Sequence, residues 1–295
     1  MIQVKTKGKS IADIIAVIVT IITVICCIIP FITTAQITDN TMVSAFGENV
    51  ELYGKGLYAR NSFSGAVQAV AQDVITLLVV IPAMIYALVL KGRKKLLGRY
   101  LMTGLFGYLL YTYMSYSFLM YYNDLFLLYV ADMTLSFYGL LLCITDLIHD
   151  PSAEKIREGL PTKGLRIFLM LSGAGIFLMW MGRIIPTIGQ GTAPAGLDNC
   201  TTLVIQALDL GVIVPACFVI SHLLKTKHKL GCILGPVIVI KAVTLVLAVL
   251  AMAFCMKING VEVDSASFAV FIPVCAATVY FFFRVAAQIN KAEAA

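Results

Sequence analysis

Long apolar runs broken by short polar ones dominate the chain. Eight runs reach about 20 residues, enough at about 1.5 Å of rise per residue to cross a hydrocarbon core of about 30 Å. The pattern predicts membrane-spanning helices over residues 11–33, 72–90, 97–119, 125–148, 165–187, 201–224, 232–255 and 268–285. The polar stretches between them are short, apart from residues 34–71, which read as one sizeable outer loop rich in Gly, Asn and Ser. That segment is either a solvated connector or a lid over an outward-facing cavity. The expected fold class is an all-α membrane protein, a single transmembrane domain over residues 1–295.

Composition agrees with the pattern. The 295 residues are 60% hydrophobic and only 13% charged, with a mean hydropathy of +0.93. A soluble domain carries about 25% charged residues, so a soluble enzyme, a disordered chain and a fibre are excluded. Most of the eight cysteines lie inside apolar runs, where Cys acts as a small hydrophobe, and no CxxC occurs.

The net charge of +6 matters less than its placement. Lys5, Lys7 and Lys9 precede the first run, and Lys91, Arg93, Lys94, Lys95 and Arg99 separate the second from the third. Lys155, Arg157, Lys163 and Arg166 follow the fourth, Lys225, Lys227 and Lys229 follow the sixth, and Arg284 and Lys291 end the chain. The opposite side holds Lys55, Arg60, Arg183 and Lys257. Cytoplasmic loops are the basic ones, so both termini are expected in the cytoplasm, at the cell membrane. The first run is longer than a signal-peptide core and is expected to remain as an anchor. Asn199-Cys200-Thr201 fits a glycosylation sequon, a pattern common by chance.

An internal echo crosses this layout. Residues 81–98 read IPAMIYALVLKGRKKLLG and residues 214–231 read VPACFVISHLLKTKHKLG. Each has Pro-Ala, an apolar stretch, a basic cluster and Leu-Gly opening the next span. The pattern suggests a parallel repeat of four plus four spans, against the alternative of coincidence. Each proline frees an upstream carbonyl, at Leu78 and Gly211, that would face a cavity.

Ionisable side chains at membrane depth are costly and mark functional candidates. Three lie deep: Asp132, Asp209 and Lys241. Asp132, Ser136, Gly139 and Cys143 share a helix face, as do Thr202, Gln206 and Asp209, and as do Lys241, Thr244, Ala248, Ala251 and Cys255. Such faces should turn toward other helices. The depths of Asp209 and Lys241 suggest an ion pair, either structural or part of a substrate or proton site, with Asp132 left as a second acid. The tyrosine-rich stretch YLLYTYMSYSFLMYYNDLFLLY over residues 108–129 is partly an interfacial belt. Its deeper members suggest an outer cavity lined by Asp73, Tyr108, Tyr111, Asn123, Asp124 and Arg183, where aromatics beside acids would hold a cation.

Residues 57–82 (LYARNSFSGAVQAVAQDVITLLVVIP), 122–131 (YNDLFLLYVA), 207–215 (ALDLGVIVP) and 235–252 (GPVIVIKAVTLVLAVLAM) resemble a family of uncharacterised multi-span membrane proteins of bacteria and archaea. The resemblance touches Asp73, Pro82, Asn123, Asp209, Pro215 and Lys241. It implies a multi-span architecture in a prokaryotic membrane and no particular activity.

The residues thus point to a transporter-like protein binding a small solute or ion within the bundle. The alternative is a membrane sensor or accessory subunit that reads a ligand or partner through the outer loop and the tyrosine-rich region. No nucleophile–base set, metal spacing, haem, zinc, P-loop or rhodopsin motif is present, so neither an enzyme nor a cofactor is expected. A nucleic-acid partner is not expected either; the lipid bilayer is.

Overall fold

A computed structural model describes residues 10–151, 155–263 and 265–294. The expected Lys5, Lys7 and Lys9 lie outside the described residues. Eight long helices are found among them. They are α1 (Ile11–Ile32), α2 (Phe63–Gly92), α3 (Leu96–Leu119), α4 (Phe126–His149), α5 (Thr162–Thr187), α6 (Val204–Lys225), α7 (Lys229–Ile258) and α8 (Ser265–Ala294). Seven are long and apolar enough to cross a membrane; α3 is long enough but less apolar. The fold is a helical bundle, and the chain is a multi-pass membrane protein.

The exception explains the packing. Along α3, Tyr100, Leu101, Met102, Thr103, Gly104, Leu105 and Phe106 are buried in succession, so the helix is enclosed on every side. It packs against α2, α4, α7 and α8. A helix enclosed over most of its length needs no continuous apolar outer stripe, so its tyrosines and hydroxyls lower its hydropathy at little cost. By contrast, α5 and α8 are mostly exposed along their lengths and are correspondingly apolar.

Two expected boundaries move for the same reason. The outer loop was expected to run to residue 71, but Ser62 caps α2 and the helix begins at Phe63. The sequence FSGAVQAVAQ is too polar to look like a span, yet Ala66, Val67, Ala69 and Ala71 are buried and α2 packs on α7. Likewise α8 was expected to stop near Val285 and continues to Ala294. Val285, Ile289 and Ala292 form its buried stripe, while Glu293 accepts a hydrogen bond from the Leu96 amide and pairs with Lys95 at 2.8 Å. The segment ahead of α2 contains a two-stranded antiparallel hairpin, β1 (Thr41–Val43) on β2 (Asn49–Glu51), with Met42 opposite Val50.

Basic residues gather at one end of the bundle and are tied there. Lys91 bonds to Asp13 at 2.6 Å and to Ser10, and Arg99 bridges Asp146 and Asp150. The opposite end is stitched by other contacts. Asn61 accepts from the Tyr121 amide, Ser64 donates to Asp198, and the Asn199 amide donates to the Arg60 carbonyl. The sequon Asn199 is therefore held by the protein itself. The first run is an integral part of the bundle: Ala12, Ala16, Val19 and Cys26 of α1 lie in the main core.

The internal echo has a structural counterpart. Each proline is preceded by one π-helical turn, Thr76–Val80 before Pro82 and Asp209–Ile213 before Pro215. The Ile81 amide then bonds to the Thr76 carbonyl, and the Val214 amide to the Asp209 carbonyl. The wider turn absorbs the donor that proline lacks. Lys94 and Lys227 both adopt positive φ, at 60° and 50°. Gly98 and Gly231 both sit where a Cβ would collide with the preceding helix, at 2.5 Å from the Lys91 nitrogen and 2.6 Å from the Leu223 carbonyl carbon. All four matches share one sequence offset. The expected exposure of Leu78 and Gly211 to an internal cavity is not what forms: Leu78 is 71% exposed and Gly211 is also exposed, on the outside of the bundle.

The α3–α7 crossing rests on Gly104, where an added Cβ would lie 2.5 Å from the Ile240 side chain. Replacing an open helical glycine with alanine stabilises by about 0.5–1 kcal/mol. Overpacking a tight site costs about 1–3 kcal/mol. Gly104→Ala should therefore lower the melting temperature of the detergent-purified protein. Gly182→Ala, with nothing within 4 Å of the new methyl, should hold or raise it.

Candidate functional site

The deep charged residues divide between two places. The first is built around the π turn of α6. Asp209 opens that turn, and its carboxylate accepts from the Tyr111 hydroxyl of α3 at 2.7 Å and from the Trp180 indole N–H of α5 at 2.9 Å. Lys241 of α7, 9% exposed, sets its ammonium 4.3 Å from the centre of the Tyr111 ring. Gly107, next to the Lys241 stem at 3.6 Å, leaves room for it. The expected direct Asp209–Lys241 ion pair does not form, because the Tyr111 side chain lies between them. Tyr111 gives its hydroxyl to the acid and its face to the base. A desolvated cation–π contact of this kind is worth about 2 kcal/mol. The pair is thus coupled through a phenol rather than closed on itself.

The same sequence offset that aligns the π turns aligns this arrangement with a neutral one. Thr76 corresponds to Asp209 and Tyr108 to Lys241. The Thr76 and Tyr108 hydroxyls bond to each other at 2.9 Å. One half of the chain therefore carries an uncharged hydroxyl pair where the other carries an acid and a base.

The second place lies among α1, α2, α3 and α4. Asp73, 2% exposed, accepts from the Tyr58 hydroxyl at 2.7 Å and from the Tyr116 hydroxyl at 2.9 Å. Tyr58 comes from the outer segment and reaches down into the bundle. Tyr113, Tyr116 and Tyr129 pack edge-on or tilted, with ring centres 5.3–6.0 Å apart. Such contacts add about 0.5–1.5 kcal/mol beyond burial. Asp132, fully buried, accepts from Thr23 of α1 at 2.8 Å and from Ser136 one turn along α4 at 3.0 Å. The expected face of Asp132, Ser136, Gly139 and Cys143 is buried as anticipated.

The expected outer cavity does not assemble. Asp73 is enclosed by tyrosines, Tyr108 is spent on Thr76, and Tyr111 belongs to the Asp209 group. Asn123 accepts from the Leu125 amide at 3.0 Å as a local cap, and Asp124 is exposed. Arg183 stacks on Trp180 at 5.4 Å. The residues share an end of the bundle by sequence, but helix rotation turns them to different neighbours.

Sequence reasoning missed Tyr58 and Trp180. Trp180 is the sole tryptophan and lies one turn before Arg183, a spacing that puts it on the same face. Tyr58 gave no signal, because a tyrosine in a loop does not reveal that its loop folds inward. Among the described residues, no group of three or more His, Cys, Asp or Glu gathers to hold a metal ion.

In comparisons with protein-family models, curated proteins and solved structures, the chain matches none.

Removing one donor from a buried carboxylate costs about 1–3 kcal/mol. Thr23→Val should therefore lower the melting temperature of the purified protein by several degrees, whereas Thr23→Ser, which keeps the hydroxyl, should restore most of it.

Proposed function

We propose that the chain is a transporter-like membrane protein that binds a small solute or ion within its bundle, at Asp209, Tyr111, Trp180 and Lys241. The observation that carries this reading is the phenol placed between a buried acid and a buried base. A purely structural pair is best served by direct contact, with every lone pair and proton satisfied. Here the ammonium rests on a ring face and the carboxylate on two neutral donors. A solute carrying both a positive and a negative group would find a partner for each. The π turns support the same reading, since such turns recur at functional sites and let a helix re-register without unfolding. So does the repeat, because carriers built from two related halves place their sites where the halves meet.

In this reading α3 is the eighth span, and the end rich in Lys and Arg faces the cytoplasm of a prokaryotic cell. The termini then lie inside and the β1–β2 hairpin outside. Cysteines introduced one at a time at Arg93 and Asp39, in a background whose eight native cysteines are replaced by serine or alanine, should report this. An impermeant thiol reagent applied to intact cells should label the cysteine at 39 and spare that at 93.

The site is tested with Asp209→Asn, which keeps the shape and removes the charge. In vesicles, uptake of a solute found by a melting-temperature screen should fall about tenfold or more, the scale of a lost charged contact, with membrane abundance unchanged. Loss of the protein itself, with no change in uptake per molecule, would show a structural role instead.

A further inference from the structure

The Asp73 cluster stands apart from the Asp209 site and is built differently. Asp209 has Lys241 nearby to balance its charge. Asp73 has no Lys or Arg within ion-pair distance among the described residues, although it is 2% exposed. Hydroxyls on both carboxylate oxygens provide hydrogen bonds but no countercharge, and an uncompensated buried charge is expensive.

The groups around Asp73 are oxygen donors with capacity to spare. Tyr58 and Tyr116 each give one proton and keep free lone pairs. The Tyr116 oxygen also lies 3.2 Å from the Ala69 carbonyl, which adds one further oxygen beside the phenols. Tyr129 is the independent sign. It is 1% exposed, its ring packs edge-on against Tyr116 at 5.3 Å between centres, and its hydroxyl lies near Tyr58 and Asn123 without making a hydrogen bond of ordinary geometry to any described residue. A buried phenol oxygen left unpaired beside an acid with no countercharge is what remains when a ligand supplies the missing contact.

We infer that Asp73, Tyr58, Tyr116 and Tyr129 form a binding site for one monovalent metal cation of the sodium type. These four residues offer only oxygen and a single carboxylate; the buried Cys27 thiol also reaches Asp73, but a neutral thiol is a poor ligand for a hard cation. Hard cations take such ligands, and one negative charge matches one positive charge. Asp132 is likewise met by two hydroxyls, from Thr23 and Ser136, but no phenol among the described residues donates to it. Access comes from the outer end. Tyr58 sits in a tight loop closed by the Tyr53 amide on the Asn61 carbonyl and the Gly54 amide on the Ala59 carbonyl. Withdrawing that loop would uncover the acid. The site is independent of the solute reading at Asp209, and its test needs no transport.

The test is the melting temperature of the full-length purified protein in sodium chloride against choline chloride at equal ionic strength, with radioactive sodium binding alongside. Sodium should raise the melting temperature saturably and bind in a one-to-one ratio. Asp73→Asn should abolish both effects, while Asp124→Asn, at an exposed acid, should leave them intact. Tyr129→Phe removes a hydroxyl that makes no hydrogen bond of ordinary geometry, so it should fold. It should raise the sodium concentration for half-effect about tenfold, the scale of one lost polar contact. If Asp73→Asn does not fold, Tyr129→Phe decides: an unchanged half-effect concentration overturns the proposal. Equal melting temperatures in sodium and choline also overturn it, as does a sodium response that survives in Asp73→Asn. A response to pH alone, with sodium and choline equal, overturns it in favour of a proton.

Discussion

Hydrocarbon offers no partner to a hydroxyl or a backbone amide, and the position of α3 follows from that constraint. Its 24 residues carry five tyrosines and four Ser or Thr side chains. Such a helix cannot lie against lipid, so the more apolar helices surround it. Once it is central, Gly104 and Gly107 set how closely α7 approaches, and the tyrosines become the bonds between neighbouring helices. Tyr108 reaches α2, Tyr116 reaches Asp73, and Tyr111 reaches Asp209.

The same constraint fixes where the acids can stand. Asp73, Asp132 and Asp209 each lie against α3 or its immediate partners, within reach of hydroxyl or indole donors. None of the three relies on a direct ion pair among the described residues. Among the described residues the ion pairs lie at the basic end, where Lys91, Lys95 and Arg99 meet carboxylates close to the helix termini. There water lowers the cost of leaving a charge partly unsatisfied. Depth in the bundle therefore sorts the polar chemistry into neutral donors inside and ion pairs at the rim.

The two halves show how one scaffold holds different chemistry. The π turn, the proline, the left-handed lysine and the close glycine recur at one offset, so the hairpins α2–α3 and α6–α7 are built alike. Thr76 on one π turn faces Tyr108 of α3, and the equivalent positions in the other hairpin hold Asp209 and, on α7, Lys241. Geometry is repeated and charge is not. The first half has its own buried acids, Asp73 and Asp132, but they lie away from the π turn.

By itself the sequence determined the class of fold, the membrane setting, most helix positions and the echo between the halves. Those depend on hydropathy and on local signals such as Pro-Ala and Leu-Gly, which act over a few residues. It also singled out Asp132, Asp209 and Lys241, because a charge in an apolar run is conspicuous wherever it points. Two helix ends escaped, at Phe63 and beyond Val285, because enclosed or amphipathic turns do not look apolar. Partnership, by contrast, came from the packing. Asp209 and Lys241 match in depth, but whether they touch depends on helix rotation and on what a third helix inserts, and Tyr111 is that insertion. Tyr58 likewise reaches Asp73 only because its loop folds inward. Depth is a one-dimensional property that a chain can spell out. Contact is three-dimensional and is fixed by how the helices pack.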